Sequence, residues 1–281
     1  MGVTPLTRTP SKADIAPYLT GDRLYGDDLT PAEIEAWYQE EREGYANLGA
    51  RDRATYRYAY HSLNALHGFR YFPARRFEQV LGIGSAYGDE FLPILTRIGR
   101  ITILDPSEAF LVSDIGGVPC RYVKPTPHGK MPFSDSTFDL ITCLGVFHHI
   151  PNVRAVMQEV RRCVAPGGIV LVREPIRSMG DWTKTRPGLT KRERGIPLRI
   201  LIEIATGAGF VVRSRSLCLF PPMMAVCSRL RILPYNNAAL TRLDAMLCSF
   251  FRWNDRYHPG AIRRRSSPAA AYLVLECPAS V

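Results

Sequence analysis

Residues 80–90 read VLGIGSAYGDE, and residues 101–105 read ITILD. The first stretch is an apolar run ending in closely spaced glycines. The second is an apolar run ending in a lone carboxylate, Asp105. Glycines at 82, 84 and 88 allow a sharp turn and a close approach of ligand to backbone. A carboxylate at the tip of the next strand can grip ribose hydroxyls. The pair of stretches therefore predicts a strand, a glycine turn and a nucleotide-like cofactor. The glycines alone are a weak signal, and the order of the segments downstream decides which cofactor is meant.

From Gln79 onward, strand-like and helix-like segments alternate. Strands are predicted at 79–83, 101–104, 138–146, 169–174, 211–219 and 271–276, and helices at 88–98, 152–164 and 197–208. In the segment 152–164, Val153, Val156, Met157, Val160 and Val164 share one face, while Arg154, Glu159, Arg161 and Arg162 lie outside it. The run Ala165-Pro166-Gly167-Gly168 then stops the helix before IVLV at 169–172. Such alternation implies an α/β fold with a doubly wound, mainly parallel sheet. Two long connections, about 176–196 and 220–270, leave the sheet and could cover a site; the second contains a helix-like run at 237–253. Upstream, Thr30-Pro31-Ala32-Glu33 is a helix start with a capping box, continuing through Trp37 to Tyr45. A second helix is predicted over 51–67, with Tyr56, Tyr60, Leu63 and Leu66 on its apolar face. Residues 1–75 thus read as a helical extension whose first dozen residues fray, and 76–281 as the sheet domain with two cap insertions.

The 281 residues are 46% hydrophobic and 22% charged, which suits a globule able to bury a sizeable core. No positively charged start is followed by a long apolar run, so no signal peptide is expected. The apolar stretch 217–226 is broken by Pro221-Pro222 and is too short to span a bilayer. Seven scattered cysteines without a Cys-x-x-Cys pair point to free thiols in a reducing cytoplasm and to no metal centre. The net charge of +10 is spread along the chain, with clusters at 184–194 and at Arg263-Arg264-Arg265. Without a nucleic-acid-binding signature it reads as a basic surface attractive to acidic substrates or, weakly, to membrane lipids. Nucleic acid is not the expected partner.

Four segments in fixed order carry a resemblance: VLGIGSAYGDE at 80–90, ITILDPSEAF at 101–110, MPFSDSTFDLITCLGVFHHIPN at 131–152 and VMQEVRRCVAPGGIVLVREP at 156–175. Together they resemble class I S-adenosylmethionine-dependent methyltransferases, especially the small-molecule group that includes ubiquinone-biosynthesis enzymes. The resemblance implies a seven-stranded Rossmann-like sheet with the last strand antiparallel, and S-adenosylmethionine as cofactor. It implies that Gly82, Ile83, Gly84, Ser85 and Gly88 pack against the methionine portion and ribose. By the same resemblance Asp105 binds the ribose hydroxyls, Pro106 and Ser107 lie near the adenine, and Met131, Pro132 and Phe133 flank its ring. Leu144 and Gly145 would approach the sulfonium end. The chain departs from the family pattern in three places. Gly82 stands where the family has an acid that contacts the cofactor's amino group, Ala86 where it often has glycine, and Pro127 where it often has an acid near the adenine.

Methyl transfer from a sulfonium is an in-line displacement, so alignment is the protein's main task. A hydroxyl acceptor must also lose its proton, and His148, His149, Glu174 and Asp181 are the candidates to take it. Asp135 and Asp139 read as turn-holding acids instead. The segment 177–194, with Trp182 among several cations, suits a sugar or an anionic group as well as it suits a solvated loop. Tyr56, Tyr60, His61 and Asn64 could roof a pocket or simply pack a helix pair. The expected activity is O-methylation of a small polar acceptor such as a saccharide or natural-product precursor. The alternatives are an RNA-modifying methyltransferase and a non-catalytic module that keeps the fold. Oligomeric state is not legible.

Overall fold

The computed structural model describes residues 12–48, 52–182, 184–186, 188–258 and 266–279. At its centre the run before the glycine turn forms β1 (Phe77–Ile83), flanked by two parallel neighbours, β2 (Ile98–Leu104) and β5 (Phe138–Leu144). The hairpin β3 (Asp114–Ile115) and β4 (Val118–Val123) extends the sheet beyond β2. On the other side lie β6 (Val164–Pro175), β8 (Ala270–Glu276) and β7 (Val211–Cys218), giving the order β3-β4-β2-β1-β5-β6-β8-β7. β8 runs antiparallel to both neighbours, as expected, and β3 antiparallel to β4; every other pairing is parallel. Eight strands stand where seven were expected, because the β3–β4 hairpin adds a two-residue edge strand.

The period of two along each strand sorts side chains into two layers. Val170 and Val172 of β6 join the cluster that buries Val153, Val156, Met157 and Val160 of α4 (Val153–Cys163) and Ile200, Leu201 and Ile204 of α5 (Leu198–Gly207). Ile169 and Leu171 point the other way, into the cluster that holds Leu63, Phe91, Met223 and Cys248. That second layer is built from α3 (His61–His67), α6 (Pro221–Arg229) and α7 (Ala238–Phe250). Ahead of the sheet, α1 (Lys12–Thr20) and α2 (Pro31–Leu48) complete the helices among the described residues. The capping box of α2 is made as read: the Thr30 amide donates to Glu33 Oε2 at 2.8 Å, and the Glu33 amide to Thr30 Oγ1 at 3.4 Å.

Three local expectations need correction. The helix predicted over 51–67 exists only from His61. Asp52 closes a turn by accepting the Ala54 and Tyr56 amides, and Asn236, distant in sequence, accepts the His61 amide at 2.8 Å while donating to Tyr58 O. That tertiary cap fixes the helix start and leaves 56–60 outside regular secondary structure. The segment 88–98 forms a 3-10 helix, Asp89–Arg97, because Pro93 in its middle has no N–H to donate. Pro221-Pro222, read as breaking an apolar run, instead fills the first turn of α6, where a missing N–H costs nothing. Arg263, Arg264, Arg265 and the first eleven residues lie outside the described residues.

Candidate active site

Beyond the carboxyl ends of β1, β2, β5 and β6 lie two cavities, of about 150 and about 400 Å³, sharing Gly84 and Gly145 in their walls. Such sheets bind ligands at this end. Gly84 sits at φ +61°, where a Cβ would come within 2.6 Å of Val146 Cγ2, and Gly145 sits at φ +85° just after β5. Both positions therefore need glycine, and both offer bare backbone to the cavities.

Asp105 is buried at the tip of β2, with a face on the smaller cavity. Oδ1 accepts the Ser107 amide at 2.9 Å and Oδ2 the Ala86 amide at 3.4 Å. Burial pushes its carboxyl up to about 6, against the lowering effect of those two amides. Ile83, Pro106, Met131 and His149 also line this cavity, and Tyr38 and Glu41 of α2 close it from above. Ser85 and Leu144 belong to the larger one. Gly82, Gly88, Ser107, Pro132 and Phe133 line neither. A Cβ on Gly82 would collide with Ser85 Oγ, and Gly88 packs on Ile115. Phe133 meets Phe138 edge-on, and its carbonyl takes a hydrogen bond from Arg162, which also holds Met131 O.

The four base candidates part ways. Glu174 is fully buried; Oε1 accepts the Val146 and Phe147 amides, both at 2.8 Å, and Oε2 lies 2.8 Å from His148 Nδ1. Burial alone would raise its carboxyl, but the His148 bond and these amides bring it below the usual range. It is an ionised anchor for the 146–148 turn. His148 faces the larger cavity; burial, then the neighbouring His149, push its imidazole below the ordinary value. His149 faces the smaller cavity with Nδ1 2.9 Å from Glu41 Oε2, and that carboxylate overcomes burial to raise it. Asp181 lines neither cavity, and pairs with Lys184 Nζ at 3.7 Å.

A latch of buried polar groups joins the caps to this turn. Glu41 Oε1 accepts from Thr190 Oγ1 at 2.7 Å, and Glu193 accepts the Thr190 amide at 3.0 Å. Arg194, fully buried, donates to the carbonyls of Tyr25, Phe147 and Ile150. Ligand atoms of His148, His149 and Glu193 lie within 4.8 Å of one another, a spacing a divalent ion can bridge. Trp182, weighed above as a sugar platform, is instead buried in a stack on Tyr25, 4.5 Å between ring centroids. Its role is to pack the segment 177–194 against the N-terminal helices.

Sequence reading missed Glu90, Arg173 and Tyr58, which line the larger cavity, and Glu41 above the smaller one. Arg173 had a signal. A charge inside the apolar run IVLVREP is buried in any sheet that covers both faces, and a buried charge needs a reason. Glu41 had none, standing in an acidic run like any exposed helix face.

Residues 81–172 match the family described as methyltransferase domain. A ubiquinone biosynthesis O-methyltransferase from Shewanella pealeana is 28% identical over 127 residues, 43% of this chain and 53% of that one. The chain thus spans about half the length of that relative. A protein from Bacillus halodurans described as a methyltransferase superposes with a TM-score of 0.51 at 16% identity, over 77% of this chain and 98% of its own. The [4+2]-cyclase SpnF superposes with a TM-score of 0.54 at 14% identity, over 89% and 95%. These superpositions establish the fold. Among the described residues, no helix is long and apolar enough to cross a membrane.

Proposed function

We propose that the chain is a class I S-adenosylmethionine-dependent methyltransferase that methylates a hydroxyl of a small polar acceptor. The observation that carries the reading is the pairing of two cavities across Gly84 and Gly145, with Asp105 on one side and His148 on the other. The residues present fit the cofactor. Asp105 offers a buried carboxylate at a strand tip for two ribose hydroxyls, Met131 and Pro106 offer apolar faces for a planar base, and Gly84 and Gly145 leave room beside the backbone. When bound, S-adenosylmethionine supplies an electrophilic methyl group on a sulfonium.

The protein's own part is alignment and proton removal. Ionised Glu174 accepts Nδ1–H of His148, which fixes the tautomer and leaves Nε2, 3.5 Å from Glu193 Oε1, as the nitrogen that takes a proton. Burial keeps that imidazole neutral near pH 7. Tyr56, Tyr58 and Tyr60 give the larger cavity an aromatic wall suited to a ring-bearing or sugar-like acceptor. All seven cysteines are free, which supports a cytoplasmic setting. Against RNA, Arg162, Arg186 and Arg194 are turned inward onto carbonyls and are not offered to a phosphate backbone.

Calorimetric titration of the full chain with S-adenosylmethionine and S-adenosylhomocysteine tests the reading. Micromolar binding of both is expected. A folded protein that takes up neither would overturn it.

A further inference from the structure

Glu90 and Arg173 are two opposite charges in one buried cavity that do not pair with each other. Glu90 is 3% exposed and Arg173 7%, and both line the larger cavity. Glu90 Oε1 accepts from Thr142 Oγ1 at 2.5 Å and from Ser85 Oγ at 2.9 Å, while Oε2 takes no hydrogen bond from the described residues. Arg173 stacks over Tyr60, 3.9 Å from the ring centroid, and its Nη2 donates to Leu144 O at 3.2 Å. Its Nη1 is buried without a hydrogen-bond partner, and no carboxylate of the described residues stands within ion-pairing distance. A guanidinium out of water with neither carboxylate nor full hydrogen bonding is strongly disfavoured unless a ligand completes it.

The space around Gly82 explains why Glu90 is there. A side chain at 82 would collide with Ser85 Oγ and crowd Phe91. Ser85 fills that volume and hands a hydrogen bond to Glu90, so a carboxylate stands beside the β1 tip although residue 82 has none. Gly84 and Gly145 connect this spot to the smaller cavity.

We propose that Glu90 and Arg173 form a zwitterion clamp for the amino-acid end of the cofactor, Glu90 taking the ammonium and Arg173 the carboxylate. The clamp rests on the cofactor reading above and assigns that end to two residues outside the glycine turn. One ligand group satisfies both charges because its ammonium and carboxylate sit on the same carbon. The carboxylate presents two oxygens to two guanidinium N–H groups in parallel, a fork that a single-atom acceptor does not match.

The test is calorimetry on the wild-type chain and on Glu90→Gln, Arg173→Met and Arg173→Lys variants. The probes are S-adenosylhomocysteine, decarboxylated S-adenosylmethionine and 5′-methylthioadenosine, which lacks the amino-acid end altogether. Glu90→Gln and Arg173→Met should each weaken S-adenosylhomocysteine binding at least tenfold and leave 5′-methylthioadenosine within twofold. Arg173→Lys should fall between wild type and Arg173→Met for S-adenosylhomocysteine. Arg173→Met should bind the decarboxylated compound as the wild type does, whereas Glu90→Gln should not. Equal losses for all three probes, or no loss for any, would overturn the clamp. A wild-type chain that binds none of the probes would instead sink the cofactor reading on which the clamp stands.

Discussion

His148 and Glu174 meet twice: Nδ1 of the ring lies 2.8 Å from Oε2, and the same oxygen accepts the His148 amide at 3.2 Å. The carboxylate thus fixes the ring and the backbone that carries it. Glu174→Gln keeps the shape but offers an N–H where Nδ1–H must donate, so the imidazole is driven to its other tautomer. Turnover of any hydroxylated acceptor should fall by ~10²-fold or more, with circular dichroism unchanged. Wild-type turnover in this variant would remove His148 from the role of base.

The pH profile of turnover follows from the same ring. Burial, then His149, lower the His148 value, so the neutral form persists below the ordinary histidine range. The base is lost only as pH falls through that lowered value. The acid limb of kcat should therefore lie below pH 6.5, and a limb centred above 7 would contradict the assignment.

Asp105→Asn should leave the fold largely intact, since its one amide oxygen can keep the 2.9 Å bond from the Ser107 amide and only the long 3.4 Å bond from the Ala86 amide is given up. The charge that receives two ribose hydroxyls is gone, a loss of about 1.5–3 kcal/mol. S-adenosylhomocysteine affinity by calorimetry should drop ten- to a hundredfold. An unchanged affinity would show that the carboxylate serves only its own turn.

Cofactor affinity should also depend on pH. Burial pushes Glu90 up to about 7 and Asp105 up to about 6 in the empty site. The charged form of Glu90 is favoured by the Thr142 and Ser85 bonds and by Arg173, and opposed by Asp89. Binding to ionised carboxylates lowers both values, so affinity is full above pH 8 and declines as pH falls through 7 and then 6. In Glu90→Gln the decline should begin a unit lower. A flat profile between pH 8 and 5.5 would exclude both carboxylates as acceptors.

Ala86 sits at φ +48°, in the left-handed region where its Cβ is strained. Ala86→Gly should raise stability by up to about 1 kcal/mol, the relief being partly offset by greater freedom of the unfolded chain. Thermal denaturation would register a rise of a few degrees at most. A fall would mean that the Ala86 methyl, buried beside Tyr87 and Phe110, contributes more through packing than its backbone loses.

Much of the scaffold was legible because it rests on local chemistry. The periodicity at 152–164 gave α4, and Thr30 with Glu33 gave the start of α2, each within a few residues. The non-helical segment at 56–60 was not legible, because Asn236, far along the chain, decides where α3 begins. Glu41 and Thr190 escaped for the same reason, since their bond joins residues whose sequence surroundings look solvated. In the site, Asp105 and Gly84 could be read from spacing. Glu90 could not, since its place beside Gly82 depends on Ser85 filling the intervening volume.

Gly84 and Gly145 are the two positions on which both cavities touch, and neither has a side chain. The wall between the two cavities is therefore one peptide thick and chemically blank. Of the tyrosines on the larger cavity, Tyr60 bears Arg173 on its ring and so is tied to the proposed clamp, while Tyr56 packs edge-on against Tyr87. If the larger cavity takes the acceptor, its preference should be tunable at Tyr56, whereas a change at Tyr60 should loosen the hold on the methyl donor as well.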